Sequence, residues 1–159
     1  MGSFKITKGL DLPITGTPSA DLTDGAPTDR VAIVAADYVG MKPRIICKVG
    51  EEVKRGQPLF EDRKNPGVFF TAIGAGKVVA INRGERRALQ SYVIELNERE
   101  RNGATSAEDR IQFASHSGSD PSADELEALL VESGLWTAIR TRPFSRIPEL
   151  GSRPDAIFF

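Results

Sequence analysis

The sequence holds one cysteine and one histidine in 159 residues. One thiol excludes an internal disulfide, and an iron–sulfur cluster normally requires four thiolates or equivalent ligands. Cys47 lies in the apolar run Arg44-Ile45-Ile46-Cys47-Lys48-Val49, where a buried free thiol is the expectation. His116 stands in Ser115-His116-Ser117-Gly118 with no cysteine or second histidine nearby. It therefore reads as a loop residue, neither metal ligand nor triad base. An excess of one charge is also missing, since 21 basic residues face 22 acidic ones for a net charge of -1. A nucleic-acid partner, which calls for a basic surplus, is not expected. No stretch approaches the ~20 apolar residues of a transmembrane helix. Met1-Gly2-Ser3-Phe4-Lys5 lacks the apolar core of a signal peptide, so a cytoplasmic chain is expected. Gly2-Ser3 can equally be a cloning remnant.

The length suits one ordinary domain, long enough to bury roughly two-thirds of its unfolded surface without a disulfide or metal. Residues 1–30 read as an extended arm, punctuated by Gly9, Pro13, Gly16, Pro18, Gly25 and Pro27. Short β-type runs follow across residues 31–97, at Val31–Val34, Ile45–Val49, Pro58–Glu61, Val68–Thr71, Lys77–Asn82 and Ala88–Leu96. Tyr92, Ile94 and Leu96 alternate with Val93. Short strands with no long helix between them predict an antiparallel barrel or sandwich. Residues 98–119 read as a polar linker, with Glu98-Arg99-Glu100-Arg101 as solvated surface. One helix is legible after them. Either Asp120 with Pro121, or Ser122 with Glu125, caps it; Leu126, Leu129 and Leu130 share a face, and Gly134 ends it.

Gly74-Ala75-Gly76-Lys77 is no phosphate loop. Thr71 stands where the first glycine belongs, and Val78 follows the lysine in place of Ser or Thr. The acidic pairs Glu51-Glu52 and Glu61-Asp62 read as solvated turn flanks. Val49-Gly50-Glu51-Glu52-Val53-Lys54-Arg55-Gly56-Gln57-Pro58-Leu59 carries more information. Its two glycines turn the chain around an inward Val53, and Pro58-Leu59 opens the next strand. With Gly76-Lys77-Val78 it resembles biotinyl and lipoyl domains and other barrel-sandwich hybrids. Those carriers hold a modified lysine at the next hairpin, where this chain has Lys64. Carriers place Asp before that lysine and a small residue after it, whereas Arg63 and Asn65 flank it here. A carrier domain modified on Lys64 is thus the alternative reading.

Further blocks include Lys8-Gly9-Leu10-Asp11-Leu12-Pro13-Ile14, Tyr38-Val39-Gly40-Met41-Lys42-Pro43, and Lys64-Asn65-Pro66-Gly67-Val68. Asn82-Arg83-Gly84 follows, and then Ser133-Gly134-Leu135-Trp136-Thr137-Ala138-Ile139-Arg140-Thr141-Arg142-Pro143-Phe144-Ser145. In this order they resemble the N-terminal part of the A-subunit family of the sodium-translocating NADH:quinone reductase. The resemblance implies a mainly β, barrel-sandwich-hybrid domain with a small α part. It also implies a truncated chain, whose residues 120–159 hold the helix and the start of a following α/β domain. The function implied is that of a peripheral component on the cytoplasmic side of the bacterial inner membrane. Its complex passes electrons from NADH to ubiquinone and exports sodium, and its partners are the other subunits, above all the membrane-embedded ones.

The same family resembles the flavin- and NADH-binding subunit of respiratory complex I and the C subunit of the related Rnf complex. Where that relative has a glycine-rich stretch for flavin and nucleotide, this chain has Leu135 to Phe144. Trp136, Ile139, Arg140 and Arg142 would fill the space that glycine leaves for a ligand. The resemblance thus implies a scaffold kept and a cofactor lost, which disfavours an independent flavin enzyme. No residue is assigned a catalytic, cofactor-binding or metal-ligating role, and ubiquinone is left to the complete subunit or complex. Trp136, Arg140, Arg142 and Phe144 are expected to form a partner-facing or interdomain surface, since Trp and Arg are enriched at interface hot spots. Residues 134–159 add four arginines against Glu149 and Asp155, an excess of 4 - 2 = +2. The purified chain is expected to be colourless; a flavin band that survives gel filtration would overturn this expectation.

Overall fold

The computed structural model describes residue 9, residues 15–114 and residues 120–157. Seven strands build two antiparallel sheets: β1 (Arg30–Val34), β2 (Pro43–Ile45), β3 (Glu52–Val53), β4 (Pro58–Asp62), β5 (Phe69–Thr71), β6 (Gly76–Arg83) and β7 (Leu89–Leu96). One sheet runs in the order β1-β7-β6-β3 and the other β2-β4-β5. The mainly β, barrel-sandwich-hybrid architecture expected from the sequence is the one found. Two short helices follow, α1 (Glu98–Arg101) and α2 (Ala123–Glu132). Residues 15–29 are exposed and carry no regular element.

The strands form where apolar residues alternate. In β7, Tyr92 and Ile94 alternate with partly exposed residues, and a register shift at the exposed Gln90 brings Leu89 inward as well. β3 is held between Gly50 and Gly56, at φ +96 and +83, and Val53 points into the core. Gly76 opens β6 where it pairs with both Val53 and Leu96, and a Cβ there would drive into the Glu95 backbone. The sheets meet on aromatic rings. Phe60 of β4 stacks on Phe70 of β5 at 4.6 Å between centroids, and Tyr92 of β7 lies 5.7 Å from Phe60. Burying a phenol needs a partner for its hydroxyl. Tyr92 Oη donates to the Cys47 carbonyl at 2.8 Å, and burial pushes its ionisation well above the ordinary value.

One expectation needs correction, and the structure adds detail to two others. Glu61 and Asp62, read as solvated, are both 6 % exposed. They are buried against main-chain donors of the β4–β5 turn and of the residue before β2. Gly67 N–H donates to Glu61 Oε1 at 2.8 Å, and the N–H groups of Lys42 and Lys64 donate to Asp62 Oδ1 at 3.0 Å. Arg44 closes an ion pair on Glu61.

Glu98-Arg99-Glu100-Arg101 is helix α1, capped by the Asn97 side chain; Glu98, Arg99 and Arg101 are exposed as expected, and only Glu100 turns inward. The Glu100 carboxylate is 3 % exposed; it accepts from Ala75 N–H at 2.8 Å and pairs with Arg55.

The linker expected over 98–119 is docked on the barrel as far as Ile111. Arg55 N–H donates to the Asp109 carbonyl, and Ile111 N–H donates to the Arg55 carbonyl. Asp109 is buried, held by Arg99, Ser106 and Asn97. Each of these charges satisfies fixed donors, and a polar composition cannot reveal that.

The Arg99 guanidinium holds the Asp109 carboxyl well below the usual carboxylate range, and Arg55 lowers that of Glu100. A group whose folded pKa is depressed stabilises the fold above its unfolded value, ordinarily 3.8 for Asp and 4.5 for Glu. That contribution is lost as pH falls toward the folded value. Asp109→Asn should therefore melt lower than the parent at neutral pH and lose less on acidification below about pH 5. Parallel pH profiles of melting temperature would show that Asp109 carries none of the acid sensitivity.

Candidate functional site

Gly134 ends α2 at φ +80, and a Cβ there would stand 2.5 Å from Thr71 Oγ1 of β5. Only glycine meets both demands, the left-handed turn and the close approach. Thr71 Oγ1 donates to the Ser133 carbonyl at 3.1 Å. This contact seats the C-terminal segment on the three-stranded sheet. A single 3-10 turn, Leu135–Ala138, follows and places Trp136 with 7 % of its surface exposed. The indole Nε1 donates to the Pro148 carbonyl at 3.0 Å, and Asn65 Nδ2 of the β4–β5 turn donates to the same oxygen at 2.8 Å. Trp136 is thus part of the join between the barrel and the C-terminal segment.

The other three residues expected with Trp136 lie further out. The Arg140 guanidinium sits 4.8 Å from the centroid of Tyr38, an attraction worth about 0.5–1 kcal/mol at exposed sites. It also donates to the carbonyls of Thr137 and Ile139. Tyr38 in turn meets Phe70 edge-on at 4.7 Å. Arg142 is exposed, and Phe144 keeps 69 % of its surface, with the Arg146 guanidinium 5.8 Å from its ring centroid. The loop that presents them is closed by Thr141 N–H donating to the Arg146 carbonyl and Ser145 N–H to the Thr141 carbonyl, both at 2.8 Å. Leu135 and Ile139 are exposed too. A buried base therefore carries a loop with an apolar, cationic outer surface.

Lys64 stands in the β4–β5 turn, at the hairpin where the carrier reading needs it. That hairpin is not free. Asn65 is tied to Pro148, and a Cβ on Gly67 would touch Leu150. The Lys64 ammonium lies 3.7 Å from where a Cβ of Gly40 would be. Cys47 is buried, and desolvation raises its thiol pKa, which keeps it unreactive. Among the described residues no three His, Cys, Asp or Glu gather as a metal site. Ser115, His116 and Ser117 lie outside the described residues, as does most of the Lys8–Ile14 block.

A feature the sequence reading passed over is an open cleft of about 870 Å3 between the 34–43 segment and the end of the β6–β7 hairpin. Lys42, Arg63, Arg83, Arg86 and Arg87 line it, with Tyr38 and Met41 on the same wall. Its signal was the run Arg83-Gly84-Glu85-Arg86-Arg87, three guanidinium groups within five residues.

Comparison with known proteins matches residues 4–97 to the model described as the NqrA N-terminal barrel-sandwich hybrid domain. The chain belongs to the NqrA family. Residues 121–159 match the NqrA second alpha/beta domain, so the Arg99–Asp109 cluster falls between the two matched regions. Among curated relatives, the A subunit of the Na(+)-translocating NADH-quinone reductase of Photorhabdus laumondii is 53% identical over 155 residues, 98% of this chain and 33% of the relative. The protein of that name from Vibrio parahaemolyticus is 52% identical over 153 residues, 96% of this chain and 33% of its own length. That of Yersinia pseudotuberculosis is 49% identical over 158 residues, again 98% and 33%. The chain spans about a third of the length of these NqrA relatives.

The tethered hairpin and the flanking Arg63 and Asn65 both disfavour covalent modification. Protein made in a host with lipoyl and biotinyl ligases should have an intact mass equal to that of the unmodified chain. A cofactor-sized increment that disappears in Lys64→Arg would restore the carrier reading.

Proposed function

We propose that the chain is the non-catalytic N-terminal part of the A subunit of a membrane-bound NADH:ubiquinone reductase that couples electron transfer to sodium export. Within it the chain serves the assembly of the complex and helps to shape a quinone site. The names of the relatives support the setting. The observation that carries the finer reading is the 135–146 segment, with Trp136 clamped beneath while Arg142, Phe144 and Ile139 face outward. Aromatic and arginine side chains on a rigid base are what a protein partner can bury with little loss of entropy. The partners are the other subunits, chiefly the membrane-embedded ones. The chain carries no cofactor of its own in this reading, and ubiquinone is bound by the complete subunit or complex. The position is peripheral, on the cytoplasmic side of the bacterial inner membrane. No helix among the described residues is long and apolar enough to cross a membrane.

The test is Arg140→Ala with Arg142→Ala in the full-length protein. Arg140 contributes one cation–π contact and hydrogen bonds to carbonyls of its own turn, and Arg142 is exposed, so the melting temperature should fall by only about 2–4 °C. Recovery of the intact complex from membranes should fall. A variant that assembles normally yet loses quinone reduction would replace the assembly role with direct participation in the quinone site.

A further inference from the structure

We propose that the cleft between the 34–43 segment and the β6–β7 hairpin end binds the phosphate headgroups of anionic phospholipids at the membrane surface. Five cations line it, Lys42, Arg63, Arg83, Arg86 and Arg87, and no carboxylate does so among the described residues. This is not the habit of the rest of the chain, which has a net charge of -1. Ion pairs elsewhere join Arg30, Arg44, Arg55, Arg99, Arg101 and Arg153 to acidic side chains. None among the described residues involves a cleft cation. The positive charge is therefore left uncompensated in one place, where it can attract a surface bearing many anions.

The hairpin end that presents three of these guanidinium groups is built rather than loose. Gly84 N–H donates to the Ala88 carbonyl at 2.8 Å, Arg87 N–H to the Gly84 carbonyl at 3.1 Å, and Ala88 N–H to the Glu85 carbonyl at 3.0 Å. Arg83 Nη1 donates to the Arg87 carbonyl at 3.0 Å. Arg86 and Arg87 both adopt left-handed backbone, φ +54 and +60, a conformation that L-residues other than Asn and Asp seldom adopt. Two adjacent arginines are thus held at the tip of a bonded turn. Beside them Val34 and Val39 are 42 % and 52 % exposed. A small soluble anion has no use for exposed valines. An amphiphile has, since its head meets the cations while the apolar side chains approach the acyl boundary. Anionic headgroups also need no fixed geometry, which suits an open cleft better than an acidic peptide would.

The inference rests on the reading of the chain as part of a membrane-associated reductase only for the presence of a membrane. A vesicle assay contains no partner protein, so its result is independent of assembly. The chain is sedimented at low salt with phosphatidylcholine vesicles, with and without phosphatidylglycerol. Binding should require the anionic lipid, weaken as salt is added, and persist in the presence of inorganic phosphate. Arg86→Gln with Arg87→Gln should weaken it roughly thirtyfold, about fivefold for each arginine. Lys48→Gln with Lys54→Gln removes the same charge outside the cleft and should leave binding near that of the parent. Equal binding to neutral vesicles, equal loss in the Lys48/Lys54 control, or release by millimolar inorganic phosphate would each overturn the proposal. So would vesicle binding unchanged in the arginine variant while that variant fails to co-purify with its partner subunits, since the cleft would then hold an acidic protein segment.

Discussion

A row of rings carries the structure from its centre to its outer face. Tyr92 of the larger sheet leans on Phe60, Phe60 stacks on Phe70, Phe70 receives the edge of Tyr38, and Tyr38 carries the Arg140 guanidinium. Each ring buries a large apolar area, and offset or edge-on pairs add about 0.5–1.5 kcal/mol beyond it. The first three rings bind the two sheets together. Tyr38 then belongs at once to the core, to the wall of the basic cleft and to the support of the C-terminal segment. A disturbance of Phe70 would reach Arg140 through one intervening ring, so the candidate surface inherits its position from the core.

The charged residues follow the same logic of fixed position. The side chains of Glu61, Asp62, Glu100 and Asp109 are buried and accept main-chain N–H groups, and all but Asp62 also pair with an arginine. A buried ion pair adds little net stability over an apolar pair, but leaving one member unpaired is costly. Removing one of these acceptors would leave its main-chain donors buried without a partner. Arg55 with Glu100 ties α1 to the loop before β4, and Arg99 with Asp109 returns the chain onto α1. Together they fix the described chain that follows the barrel as far as Asp109.

Most strands were legible as short apolar runs bounded by turn residues, but β3 was not among the expected runs, and β2 covers Pro43–Ile45 where Ile45–Val49 was expected. Ser122 with Glu125 was legible as a capping box because its two halves stand three residues apart, and the box caps α2 as one of the two expected alternatives. Burial of Glu100 was not legible, since its partners Arg55 and Ala75 stand 45 and 25 residues away. Trp136 stood out as the sole tryptophan, but its partner is the carbonyl of Pro148, and a carbonyl leaves no mark on residue identity. The basic cleft brings Lys42, Arg63 and the Arg83–Arg87 run together; the run was visible in the sequence, but the approach of Lys42 and Arg63 to it was not.

The C-terminal segment divides its labour along its length. Gly134 and Trp136 are committed to the barrel by a contact that admits no Cβ and by a buried hydrogen bond. Six to eight residues further on, Arg142 and Phe144 have no such commitment, although the turn that carries them is closed by main-chain bonds. Leaving a phenylalanine 69 % exposed forgoes much of the roughly 1.5–3 kcal/mol that its burial would contribute. Disorder of the turn does not account for this, because its backbone is hydrogen-bonded at both ends. The side chain is held out by the same frame that holds Trp136 in. Under the proposed assembly role, this apolar tip on a hydrogen-bonded frame is the part left for a partner to cover.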